Sequence, residues 1–201
     1  MIATRRDAPG ALAAAGLFGV SGPARAVIPR TAIAAGVATR VRTPDGLTLS
    51  AMRYGDPVRP EILFVHGLGQ SRLSCNEQLT PVMIGRFTIV THDLRGHGDS
   101  DKPITPANYA DGAAWGDDLH AVIEKTGLRR PLVVAWSMGG LIAGHYLKRH
   151  GAGLMARINL VDAVTSFAPG LLSLVSAELG NRLASPDLAV RSDAIRADAG
   201  V

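Results

Sequence analysis

Four short apolar runs, each stopping on a polar or glycine-rich step, constrain this chain more than any other feature. They are residues 61–65 (EILFV), 87–92 (FTIVTH), 131–136 (PLVVAW) and 156–163 (ARINLVDA). Runs this short and this continuously apolar suit strands covered on both faces, as in a parallel sheet. Helical patterns lie between them. Residues 109–125 set Trp115, Leu119, Val122 and Ile123 on one stripe and stop at Gly127, and residues 138–149 form a second helix closed by Gly151. Ahead of these, residues 37–54 read as two short strands around Pro44-Asp45-Gly46, because Leu47, Leu49 and Ala51 alternate with Thr48 and Ser50. Strands alternating with helices predict an α/β architecture: a mostly parallel, doubly wound sheet of about six strands with helices on both faces.

Composition removes other classes. The 201 residues are 47% hydrophobic and 19% charged, too apolar for a disordered chain and long enough for a real core. No apolar run reaches ~18 residues, so no membrane span is expected. The single cysteine, Cys75, permits no intrachain disulfide and no cysteine-based zinc cage. It reads as a packed residue, since no helix start or basic neighbour clearly favours its thiolate. The net charge is +4, but the basic residues are scattered and not interleaved with aromatics, so no nucleic-acid partner is expected. No phosphate-cradling glycine loop and no metal-spaced set of His, Asp and Glu occurs, so neither cofactor nor metal is expected.

Residues 1–26 read as an address. Arg5 and Arg6 form a charged start, Ala11 to Val20 a short apolar stretch, and Ala24-Arg25-Ala26 a small-x-small cleavage site. The layout resembles a twin-arginine export signal, although Ala8-Pro9-Gly10 stands where such signals usually carry a large apolar residue. The alternatives are a disordered tail or a misassigned start. With the signal, the protein is periplasmic or secreted; without it, cytoplasmic. Half of the net charge sits in this segment, as three arginines against one aspartate. The expected organisation is therefore a signal over 1–26, an α/β core over 27–165, and a different, strandless segment over 166–201.

In open α/β sheets ligands sit beyond the carboxyl ends of the strands, and the polar motifs fall there. The sharpest is Ala135-Trp136-Ser137-Met138-Gly139-Gly140, which follows one apolar run and opens a helix. That context fits a nucleophile elbow, a cramped bend that holds a serine Oγ outward beside the N–H groups of a helix start. Its first small position is Ala135 rather than glycine, and the plainer reading is a serine capping an ordinary helix. The second motif is Phe64-Val65-His66-Gly67-Leu68-Gly69-Gln70-Ser71, whose glycines let the backbone turn an N–H inward. The third is Asp93-Leu94-Arg95-Gly96-His97-Gly98-Asp99-Ser100, suited to a tight hydrogen-bonded loop.

These three motifs, in this order and spacing, resemble the α/β-hydrolase superfamily, nearest its esterase, lactonase and cofactor-free haloperoxidase-like branch, over roughly residues 40–165. The resemblance implies a cap inserted after the sixth strand and a small-molecule acyl substrate such as an ester or lactone. It implies Ser137 as nucleophile, with the backbone N–H groups of Leu68 and Met138 as the oxyanion hole. It favours structural roles over base catalysis for His66, His92 and His97. A serine at the elbow also argues against the dehalogenase and epoxide hydrolase chemistries, which use an aspartate there.

The chain departs from the family at the base. A serine hydroxyl needs one, and the family order is Ser, then Asp or Glu, then His. Of the six histidines only His145 and His150 follow Ser137. His145 is eight residues on, about 12 Å along a helix, so both read as surface helix residues. Asp162, at the end of the fourth run, is a candidate acid or simply a strand-end cap. The expectation is a chain that stops inside the cap region, before the last strands and the base, leaving an apolar sheet edge prone to aggregation. It would be a serine hydrolase impaired by the absent His, or alternatively a non-catalytic remnant or binding module with the same partial fold.

Overall fold

A computed structural model describes residues 35–166. The signal expected over 1–26, and all but the first residue of the segment expected from 166 onward, lie outside the described residues. Within them are six strands: β1 (Val37–Arg42), β2 (Thr48–Tyr54), β3 (Glu61–Val65), β4 (Thr88–His92), β5 (Leu132–Trp136) and β6 (Arg157–Val161). They form one sheet in the order β1-β2-β4-β3-β5-β6. β1 and β2 make an antiparallel hairpin and β2 meets β4 antiparallel; β4, β3, β5 and β6 run parallel. The four apolar runs are those parallel strands.

Strand alternation divides the core. Leu63, Val65, Val90, Val133 and Ala135 point to one face, packed with Leu119, Val122, Ile142 and Tyr146 from the helices α3 (Gly112–Lys125) and α4 (Gly139–His150). Ile62, Phe64 and Ile89 point to the other, where Cys75, Leu79, Met83 and Ile84 cover them. Those come from a 3₁₀ turn at Arg72–Gln78, the residue after it, and α1 (Pro81–Arg86). Helices on both faces are thus observed. The turn and α1 carry no amphipathic period; they are set by caps instead. The Ser71 hydroxyl accepts the Leu73 N–H, and the Thr80 hydroxyl accepts the Met83 N–H with Pro81 at the first helical position.

Two expectations are corrected. The helix expected over 109–125 is broken: α2 (Ala107–Ala110) ends before Asp111, whose carboxylate caps α3 by accepting the Ala113 N–H. An aspartate offering that acceptor stops one helix and starts the next. β6 is also not covered on both faces among the described residues; four of its five residues are exposed, Leu160 and Val161 among them.

Candidate functional site

The carboxyl ends of the parallel strands gather His66-Gly67, Asp93, Ser137 and Asp162. Val65 lies opposite Ala135 and Trp136 opposite Val161. Continued one or two steps, that register sets Ser137 level with both Gly67 and Asp162. The chain leaves β3 toward one face of the sheet and β5 toward the other, which opens a crevice between them at Ser137.

Ser137 is one of two non-glycine residues with a left-handed backbone among the described residues, at φ 52°; the other is Asp162, at φ 42°. For an L-residue that conformation costs about 1–2 kcal/mol. The surroundings hold it. The Ser137 N–H donates to the Val161 carbonyl at 3.1 Å, and its own carbonyl accepts the N–H groups of Gly140 at 3.1 Å and Val164 at 2.9 Å. Close packing explains the flanking glycines. A Cβ on Gly139 would lie 2.6 Å from the Val65 carbonyl, and one on Gly140 2.7 Å from the Ala163 Cβ. Ala135 needs no such clearance, because its methyl is fully buried in the core. The bend is therefore strained and closely packed, unlike a relaxed helix cap. The Ser137 Oγ itself has no hydrogen-bond partner among the described residues.

Gly67 faces it so closely that a Cβ there would lie 3.0 Å from the Ser137 Cβ and 3.4 Å from Oγ. No hydrogen bond among the described residues uses the N–H of Leu68 or of Met138. Two open donors beside an outward hydroxyl are what an oxyanion would need. The His66 ring orients the first of them. Its Nε2 accepts the Leu94 N–H at 3.1 Å, which fixes the tautomer so that Nδ1–H donates to the Gly67 carbonyl at 2.8 Å. That carbonyl and the Leu68 N–H belong to one trans peptide, so holding one aims the other the opposite way. Burial keeps the His66 imidazole neutral, its pKa lowered to about 4.

The loop after β4 is built on buried charge. The Asp93 carboxylate is fully buried and accepts the Arg72 N–H at 2.7 Å, an Arg72 Nη1–H at 2.8 Å and the Asp99 N–H at 3.0 Å. A Cβ on Gly98, whose φ is 48°, would collide with that carboxylate. Arg95, 1% exposed, forks onto Asp118 of α3 at 2.6 and 2.7 Å and also reaches Asp45 at 2.9 Å and the Asn108 carbonyl at 2.7 Å. Burial raises the Asp118 carboxyl above its usual range, against the pull of the guanidinium. Sequence reasoning singled out the loop but not these partners. The signal for them is a run of ionisable residues directly after an apolar strand, where unpaired charge would be untenable.

His92 is wholly buried; the Phe64 backbone is near, but neither ring nitrogen reaches hydrogen-bond geometry. Burial lowers its pKa to about 3. His145 and His150, expected to be surface helix residues, are half-buried: they keep some exposure but also take part in the α3–α4 contact. A side chain on Gly112 would collide with the His145 ring, while His150 Nε2–H donates to Asp117 Oδ1 (2.7 Å) and its ring stacks on His120 at 4.1 Å. Helices that cross this closely cover even polar positions. Neither ring bonds Ser137. Asp162 is exposed, flanked by Val161 and Val164, which both bond the Ser137 backbone. Cys75 is buried, and burial pushes its thiol up to about 11, where it is inert. Among the described residues no three His, Cys, Asp or Glu side chains converge as metal ligands, and no helix is long and apolar enough to cross a membrane.

Known proteins share this fold. A family model described as the alpha/beta hydrolase fold matches residues 60–197. A Burkholderia cenocepacia protein assigned as an aryl esterase superposes with a TM-score of 0.74 and 37% identity, over 80% of this chain and 59% of that one. A non-heme chloroperoxidase of Kitasatospora aureofaciens is 32% identical over 123 residues, 61% of this chain and 42% of the relative. A bifunctional esterase/perhydrolase of Acinetobacter calcoaceticus is 32% identical over 124 residues, 62% of this chain and 44% of the relative. The chain spans less than half the length of these curated relatives.

Proposed function

The chain belongs to the α/β-hydrolase fold family, and from that premise we propose that it carries the nucleophile half of a serine hydrolase acting on an ester, lactone or similar small acyl substrate. The observation that carries the reading is Ser137: a strained, half-buried serine whose Oγ, like the backbone N–H groups of Leu68 and Met138, has no hydrogen-bond partner among the described residues.

Oγ attacks the substrate carbonyl carbon, and the carbonyl electron pair moves onto oxygen, where the Leu68 and Met138 N–H groups receive it. Such donors each contribute about 3 kcal/mol, because they stabilise charge that exists only in the transition state. Collapse of the tetrahedral species expels the alcohol with a proton and leaves an ester on Ser137, which water then cleaves. The Oγ proton must pass to a base. His145 and His150 are committed to the α3–α4 contact, so these 201 residues alone are expected to turn over slowly. Asp162, level with Ser137 by the β5–β6 register, is the acid this reading offers to a base brought to Ser137. The exported location read from residues 1–26 rests on sequence alone.

A second reading has its own support, that no imidazole among the described residues bonds Ser137: a non-catalytic binding module with the same fold. A fluorophosphonate probe separates the two. Labelling of the purified chain that disappears in Ser137→Ala supports the hydrolase; no labelling in either supports the binding module.

A further inference from the structure

His97 sits in the loop after β4 and faces the loop after β3. Its Nε2 accepts the Gly69 N–H at 3.2 Å, and its Nδ1–H donates to the Arg95 carbonyl at 2.9 Å. With one ring nitrogen facing the Gly69 N–H and the other the Arg95 carbonyl, neither is free to reach Ser137. The ring is also packed edge-on against His66, at 5.2 Å between centroids.

The effect falls on Leu68. Two peptide planes flank its Cα. His66 holds the first through the Gly67 carbonyl, and His97 holds the second through the Gly69 N–H. Gly69 is left-handed at φ 69°, a conformation glycine leaves easily, and the turn around it is closed only by a long bond from the Gln70 N–H to the Gly67 carbonyl at 3.4 Å, so the loop by itself holds the second plane weakly. His97, by contrast, stands on a rigid base. Its N–H donates to the Leu94 carbonyl at 3.0 Å, the Gly96 N–H to the Asp101 carbonyl at 2.9 Å, and Arg95 next to it is locked by Asp118 and Asp45.

We propose that His97 is a positioning residue of the oxyanion hole, clamping the Leu68–Gly69 peptide so that the Leu68 N–H stays aimed at the crevice beside Ser137. The role depends on the serine-hydrolase reading above, and it asks of His97 only an acceptor at the Nε2 position. Gln supplies one there as an amide oxygen; Leu fills similar space and supplies none.

The test uses the full chain with His97→Leu and His97→Gln, both checked for folding by thermal melts. Hydrogen exchange of the Gly69 amide reads the clamp directly. The rate of Ser137 labelling by a fluorophosphonate, resolved into probe affinity and maximal rate, reads its consequence. The expected result is at least ~10-fold faster Gly69 exchange and a ~10-fold lower maximal labelling rate in His97→Leu, with affinity nearly unchanged and His97→Gln restoring most of both. Unchanged Gly69 exchange in a folded His97→Leu overturns the proposal, as does a His97→Gln no better than His97→Leu. Should the unaltered chain not label at all, the serine-hydrolase reading fails and the role in the oxyanion hole with it. Gly69 exchange would still show whether the loop is held.

Discussion

At Ser137 one residue carries both the chemistry and a structural penalty. Its φ of 52° is tolerated because both sides of its peptide are bonded and glycines clear the space around it. Replacing it with glycine removes the Cβ that makes the conformation costly. Ser137→Gly should therefore gain about 1 kcal/mol of stability, read as a higher urea midpoint, while losing all fluorophosphonate labelling. An unchanged or lower midpoint would mean the bend stores no strain. Arg95 is the opposite case, a residue whose charge is affordable only with its partners. Arg95→Met leaves the buried Asp118 carboxylate facing no cation and should cost about 3–5 kcal/mol, visible in the same titration. The Arg95→Met, Asp118→Leu pair should recover much of that loss, since it removes the stranded charge.

Among the elements, α3 and α4 share the most extensive contact. Gly116 of α3 has the main chain of α4 against it: a Cβ would lie 3.0 Å from the His145 carbonyl carbon and oxygen and 3.1 Å from the Tyr146 nitrogen. Helix propensity favours alanine over glycine by about 1 kcal/mol, and steric overlap with main chain opposes it. Backbone in a packed helix cannot rotate away, so Gly116→Ala should destabilise by about 1–3 kcal/mol in spite of its propensity gain. A more stable variant would show that the helices have room to part. The same contact marks what a sequence can disclose at this scale. The parallel strands were legible because their apolar runs are continuous, and the elbow because Ser137 sits between one such run and a helix. The turn at Arg72–Gln78 and α1 were not, because capping hydroxyls rather than periodicity define them. The covered positions of His145 and His150 were not either. Their partial cover comes from α3, from Gly112 against His145 and from Asp117 and His120 against His150, and no pattern within residues 138–149 records it.

Across the whole molecule the buried histidines make folding sensitive to acid. His66 and His92 lie in the core at the ends of β3 and β4, with pKa values lowered by burial from an ordinary 6.5 to about 4 and about 3. In the unfolded chain both take a proton near pH 6.5; in the folded protein neither does until the pH is far lower. The unfolded state therefore binds more protons throughout that interval, and stability must rise with pH there. The contribution is complete above about pH 7 and drains away as the pH falls through 6.5 toward 4 and 3. Between pH 7.5 and 5 each histidine should remove about 2 kcal/mol. Asp118, raised by burial, works with the opposite sign, but its window opens upward from 3.8 and it is one group against two. A marked fall in urea midpoint from pH 7.5 to 5 is expected. His92→Phe, which keeps an aromatic ring in a site offering no hydrogen bond, should flatten that fall by about half. A midpoint indifferent to pH in the unaltered chain would mean that the core admits protonated imidazole, and the neutral His66 that aims the Leu68 peptide would then lose its physical basis.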